Sequence, residues 1–113
     1  MAKLKFKSPW VDKEYNIGLE LVQYADNGNL AIVMKSYTDD GFYDGDFNAK
    51  LTVNLGNKLP RNQGYVDTNN LGMDVCDWIF DNHLGKCLPI FERSGFCVYP
   101  LFEFDMEELK KYA

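Results

Sequence analysis

The fold of this chain is decided by residues 64–104, which read GYVDTNNLGMDVCDWIFDNHLGKCLPIFERSGFCVYPLFEF. The stretch contains one helical pattern between two apolar segments. Asn69 or Asn70 can cap the helix, which we expect to continue to about Leu84. Gly85 is suited to end the helix in the left-handed conformation. The order of strand, helix and strand predicts a helix that packs across a sheet.

The predicted helix has an apolar side and an acidic side. At about 100° per residue, four apolar residues share one side and three carboxylates share the opposite side. The apolar side consists of Leu71, Val75, Trp78 and Ile79, and the acidic side consists of Asp74, Asp77 and Asp81. The first set predicts contact with a core, and the second predicts an exposed stripe of negative charge.

The first half of the chain has the pattern of antiparallel strands. Tyr15–Tyr24 and Leu30–Tyr37 flank an Asn-Gly pair, which is a strong signal for a two-residue hairpin turn. Residues 46–55 alternate apolar and polar side chains without exception, as in a strand with one wet face. With Asn27 and Gly28 at the centre of the turn, Leu21 lies opposite Met34 and Glu20 lies opposite Lys35.

Shorter segments complete the prediction. Lys3–Lys7 alternates as an edge strand does, and Phe96–Phe104 predicts a strand in which Pro100 indicates an edge position or a bulge. Gly56–Gly64 predicts an exposed loop, and Tyr65–Asp67 a very short strand. Asp105 and Glu108 form a capping-box pattern for a short C-terminal helix.

These elements predict an α+β fold. We expect a mainly antiparallel, twisted sheet of four to six strands with one principal helix and a short C-terminal helix. With 113 residues, 46% of them hydrophobic, the chain is predicted to form a single domain, residues 1–113.

Composition narrows the classes of function. The net charge of −5 disfavours direct binding to nucleic acid, because such binding depends on Lys and Arg displacing counterions from phosphates. No apolar run approaches the roughly 18 residues of a membrane span, and no apolar segment typical of a signal peptide follows the N-terminus. Three cysteines cannot all pair within the chain. We therefore expect a cytoplasmic protein that binds neither nucleic acid nor membrane.

The acidic stripe is the first candidate site. A row of carboxylates is usually the solvated face of a helix, but Asp74, Asp77 and Asp81 could also oppose arginines or lysines that normally hold phosphates. A protein with such a surface would compete with nucleic acid for a basic site.

An acidic loop is the second candidate site. Residues 39–46 place aspartates beside glycines and two aromatic residues, but they lack the ligand frame of an EF-hand. They are typical of a solvated hairpin loop, although exposed aromatics also serve as contact anchors. The candidate residues are Asp39, Asp40, Asp44, Phe42 and Tyr43.

Cysteine and histidine give an alternative of a different class. Cys76, His83, Cys87 and Cys97 could supply four ligands to a structural zinc ion, but their spacing contains no C-x-x-C knuckle. Free cysteines also behave as small buried hydrophobes. The sequence contains no nucleophile elbow or phosphate-binding loop, so we predict neither an enzyme nor a cofactor. The alternative is a zinc-stabilised or thiol-dependent accessory protein, or a homodimer joined through strand edges.

The chain resembles a family of small proteins of unknown function that are carried on phages, plasmids and conjugative elements of Firmicutes. The resemblance lies in Tyr65–Asn70, the helix, Ser94–Pro100 and Phe102–Asp105. Lys86–Arg93, between the helix and the last strand, departs from the Pro-Thr-Gly-Arg-like sequence that the family usually has there. It implies an accessory protein of a mobile element, and small acidic proteins of this kind often inhibit host defence, including CRISPR nucleases. We therefore expect a monomer or homodimer that blocks the DNA-binding site of a Cas9-type nuclease.

Overall fold

The structure of the protein, a computed structural model, describes residues 2–113. It contains two four-stranded antiparallel sheets, with strand orders β1-β2-β3-β4 and β5-β6-β8-β7. The α+β class and the antiparallel pairing are confirmed, and the strands are divided between two sheets. The elements are β1 (Leu4–Lys7), β2 (Glu14–Gln23), β3 (Leu30–Tyr37), β4 (Tyr43–Lys50), β5 (Thr52–Val53), β6 (Gln63–Val66), α1 (Thr68–Leu71), α2 (Asp74–Asp81), β7 (Gly85–Ser94), β8 (Cys97–Phe104) and α3 (Met106–Lys110).

The β2–β3 hairpin forms as predicted, but its predicted register is wrong by two residues. Leu21 lies opposite Ile32, and Glu20 lies opposite Val33. The cause is the loop: the Tyr24 N–H donates to Asn29 O over 2.9 Å, which leaves four residues in the turn instead of two. A shift of two keeps every side chain on its predicted face. The Glu20 carboxylate still reaches Lys35 Nζ, at 3.0 Å, as a diagonal ion pair.

The alternating segment 46–55 is two strands in different sheets. β4 ends at Lys50 and β5 begins at Thr52, with the fully buried Leu51 between them. The chain therefore leaves the first sheet and enters the second at Leu51. The alternation of buried side chains continues through Phe47, Ala49 and Leu51.

Backbone hydrogen bonds hold the two sheets together at this corner. Leu51 N–H donates to Ile32 O over 2.8 Å, and Asp67 N–H donates to Leu51 O over 2.9 Å. Thr52 Oγ1 accepts from the buried Ile32 N–H at 3.2 Å, and Tyr24 Oη donates to Thr52 O at 3.1 Å. The corner satisfies backbone groups of both sheets where neither ladder can continue.

The predicted continuous helix is two short helices. Asp67, not Asn69 or Asn70, caps the first, and its carboxylate accepts from Asn70 N–H at 3.1 Å. Gly72, with φ 85° and ψ 160°, ends α1 in a conformation that favours glycine. Beyond α2 the left-handed residue is His83, with φ 60°.

Gly85 lies in β7, so its predicted role as the left-handed end of the helix is wrong. An added Cβ at Gly85 would lie 2.7 Å from Glu103 O, so the close approach of β8 requires a glycine there.

The segment Lys86–Arg93 belongs to β7, which pairs with β8 as a hairpin. β8 lies between β6 and β7. Its pairing with β6 covers only Leu101–Glu103, so Pro100 pairs with β7 alone. The register shifts between Cys87 and Phe91, where three residues of β7 face one of β8. The predicted bulge is therefore confirmed; its extra residues lie in β7 opposite Leu101, next to Pro100.

The main core lies between the two sheets, α2 and α3. It includes Ile17, Ile32, Met34, Leu51, Val66, Val75, Ile79, Leu84, Phe102 and Leu109. A smaller cluster of Leu59, Tyr65, Tyr99 and Leu101 covers the other face of the second sheet. Leu59 is therefore buried within the loop predicted to be exposed.

Two side-chain hydrogen bonds fix a loop and the start of a helix. Asn29 Oδ1 accepts from Leu59 N–H at 2.9 Å, which holds the loop against the sheet. Asp105 caps α3 by accepting from Glu108 N–H at 3.1 Å, as predicted. Within residues 2–113, no helix has the length and apolar character needed to cross a membrane.

The corner generates a stability prediction. Thr52→Val keeps the side-chain shape but leaves the buried Ile32 N–H without its acceptor, which should lower the free energy of unfolding by about 1–3 kcal/mol. Urea unfolding measures the change. Thr52→Ser retains the hydroxyl and is the matched control. If Thr52→Val is as stable as Thr52→Ser, this hydrogen bond does not hold the corner.

Candidate functional site

Helix α2 is anchored on the core through its predicted apolar side. Val75 and Ile79 are buried. Trp78 Nε1 donates to Lys5 O over 2.7 Å, and its ring meets Phe6 edge-on with centroids 5.0 Å apart. The helix is therefore held against both β1 and the core, and its opposite side faces outward.

The outward side of α2 displays the predicted carboxylates. Asp74, Asp77 and Asp81 are all exposed, and none forms an ion pair with another side chain of residues 2–113. Asp74 and Asp77 lie in the first turn, where the helix dipole favours negative charge. Asp81 lies in the last turn, where the dipole opposes a carboxylate and no basic residue compensates. The charge of Asp81 therefore does not serve helix stability.

Two apolar side chains on this surface were missed in the sequence. Met73 and Phe80 are 66% and 65% exposed, among three carboxylates. Residues seven apart lie on nearly the same side of a helix, and Asp77 lies between them. This spacing was the available signal. We call the surface formed by Met73, Asp74, Asp77, Phe80 and Asp81 the α2 face.

A cavity of about 430 Å³ lies beside the C-terminal end of the α2 face. Phe80 and His83 form one wall, and Glu103 and Asp105 contribute carboxylates to its lining. Lys86 lies 3.6 Å from Glu103 in an exposed ion pair. Acidic groups thus continue past the end of the helix.

The family model of DUF4313, a domain of unknown function, matches residues 18–113. The chain belongs to the DUF4313 family. Comparisons with curated proteins and with solved structures find no match. The family description names no activity. The exposed surfaces of this DUF4313 chain are therefore the features that bear on its function.

The second candidate surface of the DUF4313 chain is the β3–β4 hairpin. Its turn is closed by Thr38 N–H, which donates to Phe42 O over 2.7 Å. Phe42 is 71% exposed, and Asp39 and Asp40 are exposed at the turn. Lys3 and Lys5 line the same hollow as these two aspartates. The structure therefore makes this surface mixed in charge, although the sequence around it contains only acids.

Two of the predicted hairpin residues have structural contacts. Tyr43 is 55% exposed, and its ring packs edge-on against Tyr37 with centroids 5.9 Å apart. Asp44 lies within β4, where its carboxylate accepts from Ser36 Oγ and from Asp46 N–H. These hydrogen bonds, that from Ser36 first, lower the pKa of Asp44. Asp44 thus stabilises the hairpin.

The cysteines and the histidine do not form one cluster. Cys76 is half-buried on α2, Cys87 is exposed on β7 and Cys97 is half-buried near the start of β8. Among residues 2–113, no three His, Cys, Asp or Glu side chains are placed to hold one metal ion. Burial raises the pKa of the Cys76 thiol, which disfavours the reactive thiolate.

The Ser36–Asp44 contact generates a prediction about pH. Ser36 Oγ also accepts from the buried Phe47 N–H at 2.8 Å, so Ser36→Ala should destabilise the fold by about 1–3 kcal/mol at pH 7. Because the pKa of Asp44 is lowered in the folded state, its contribution is present above the ordinary value of 3.8 and is lost as pH falls through the folded pKa. Urea unfolding at pH 7 and at lower pH measures both effects.

Asp44→Asn is the matched control, because it retains the side-chain shape without the charge. The stability difference between the parent and Asp44→Asn should shrink as pH falls, whereas the unpaired Phe47 N–H keeps Ser36→Ala destabilised at every pH. A difference between the parent and the Asp44→Asn variant that is independent of pH would contradict the role given to this carboxylate.

Proposed function

We propose that this chain is a non-enzymatic protein-binding module of a mobile genetic element. In this proposal it inhibits a nucleic-acid-handling enzyme of host defence by occupying that enzyme's basic site. The observation that carries the proposal is the α2 face, where three exposed carboxylates lie beside two exposed apolar side chains and form no ion pair with the side chains of residues 2–113.

The charge of the α2 face supports a basic partner. Carboxylates on successive turns of a helix lie about 5–6 Å apart, so one row can face several arginines or lysines. Complementary charge of this kind accelerates association and selects among partners. The position of Asp81 adds support, because a carboxylate at the end of a helix is unfavourable for the helix itself.

Met73 and Phe80 supply the apolar contact that the carboxylates alone do not provide. Binding energy in protein interfaces is concentrated in a few side chains that fill pockets and lose their water. Two exposed apolar side chains within the acidic surface are suited to that role, and an arginine can also stack on the Phe80 ring. The partner therefore presents cations around an apolar pocket.

A Cas9-type nuclease is the target that fits the resemblance to proteins of mobile elements. Such an enzyme reads its PAM duplex with paired arginines, which an acidic surface can occupy in place of DNA. In this proposal the β3–β4 hairpin forms a secondary contact through Asp39, Asp40, Phe42 and Tyr43. It is secondary because Lys3 and Lys5 reduce the net negative charge of that surface.

Charge reversal of the α2 face tests the proposal. The variant Asp74→Lys, Asp77→Lys, Asp81→Lys should lose its partner in a pull-down from lysate of the bacterial host while the domain stays folded, although lysines in the first turn oppose the helix dipole and lower the free energy of unfolding by about 0.3–1 kcal/mol each. The parent's partner should be a nucleic-acid-handling enzyme that is released by high salt, since exposed charges are screened. Mass spectrometry of the eluted proteins identifies it.

The matched control is Asp12→Lys, Glu14→Lys, Glu92→Lys, which changes the net charge equally at exposed acids outside the α2 face. The control variant should retain the partner. If both triple variants bind as the parent does, the α2 face is only a solvated surface. Equal losses in both would attribute binding to net charge instead of to this face.

A further inference from the structure

A groove of about 840 Å³ lies between one end of the first sheet and α3. It is formed by three separate parts of the chain: the β2–β3 hairpin, the loop before β6, and α3. Its apolar lining comes from Leu21, Val22, Leu30 and Met106, and its two charged residues are Arg61 and Lys110. We call it the Arg61–Lys110 groove.

The charge of this groove is opposite to that of the chain as a whole. Among residues 2–113, those that line the groove include two cations and no carboxylate, although the chain has a net charge of −5. Arg61 forms no ion pair with the residues that the structure describes. Lys110 has only an exposed pair with Glu107 at 3.7 Å, which is worth little in water. Both cations are therefore available to an acidic ligand.

The occupant of such a groove has to combine apolar and acidic groups. Helices dock in apolar grooves through side chains spaced by three, four or seven residues. The α2 face has that chemistry and spacing: Met73 and Phe80 are seven residues apart and exposed, with Asp74, Asp77 and Asp81 beside them. The same chain thus carries both halves of a complementary contact.

We propose that the α2 face of a second copy of this chain docks in the Arg61–Lys110 groove. The apolar side chains of the helix contact the apolar lining, and its aspartates face Arg61 and Lys110. Two copies in a reciprocal arrangement make this contact twice. Because the contact covers the α2 face, self-association competes with the partner binding described above, but it does not depend on that partner's existence.

Sedimentation velocity over a range of concentrations at low salt tests the contact. The parent should self-associate, and high salt should weaken the association. Arg61→Glu, Lys110→Glu should weaken it at least tenfold, and so should Asp74→Lys, Asp77→Lys, Asp81→Lys. Lys13→Glu, Arg93→Glu, which makes the same change in charge outside the groove, should associate as the parent does.

Mixing the two charge-reversed variants is the decisive step. Their reversed surfaces are again complementary, so the mixture should form a heterodimer that neither variant forms as a homodimer. A monomeric parent at every concentration overturns the proposal. So does association that survives the groove substitutions, or a mixture that stays dissociated.

The pull-down separates this inference from the proposed function. The Arg61→Glu, Lys110→Glu variant should still capture the lysate partner, since its α2 face is intact and uncovered. If this variant loses a lysate protein while its self-association is unchanged, the groove binds a different acidic partner and the proposed contact between two copies is wrong. If it self-associates less but neither it nor the parent captures a partner, only the proposed function fails.

Discussion

The rest of the structure depends on the corner at Leu51 and Thr52, where the chain passes from one sheet to the other. A sheet ladder cannot turn without leaving backbone groups unpaired, and here Ile32 and Asp67 exchange hydrogen bonds with the corner instead. Leu51 is fully buried at this point, so the corner is also part of the core. It brings the inner faces of both sheets together and creates the hydrophobic surface on which α2 packs.

The same core supports helix α2, whose outer side carries the α2 face. An isolated helix of eight residues is unstable in water, so α2 owes its structure to the burial of Val75 and Ile79 and to the Trp78 contact with β1. On its outer side, Asp74 and Asp77 favour the first turn, whereas the carboxylate of Asp81 opposes the dipole. The charge of Asp81 therefore does not stabilise the helix and is available for binding.

The parts that could be predicted from sequence are those fixed by local pattern. Alternation indicated the buried side chains of β4, the helical period indicated those of α2, and Asp105 indicated the start of α3. Alternation does not indicate which sheet a strand joins, so the change from one sheet to the other at Leu51 could not be predicted. The hairpin register depended on a turn conformation that Asn-Gly did not determine. β7 is mostly exposed and has no apolar periodicity, so its pattern gave no signal.

The two surfaces also differ in how far they could be predicted from the sequence. The acidic stripe lies on one helix, so its period was readable, whereas the Arg61–Lys110 groove is assembled from three distant segments and appears only after folding. The net charge of −5 therefore does not reveal that the chain has a basic groove as well as an acidic face. If the α2 face meets its own groove in a second copy, it meets two cations there. In the proposed function, a partner that normally holds nucleic acid would offer more cations to the same aspartates, and it would displace the second copy because complementary charge accelerates association and selects among partners.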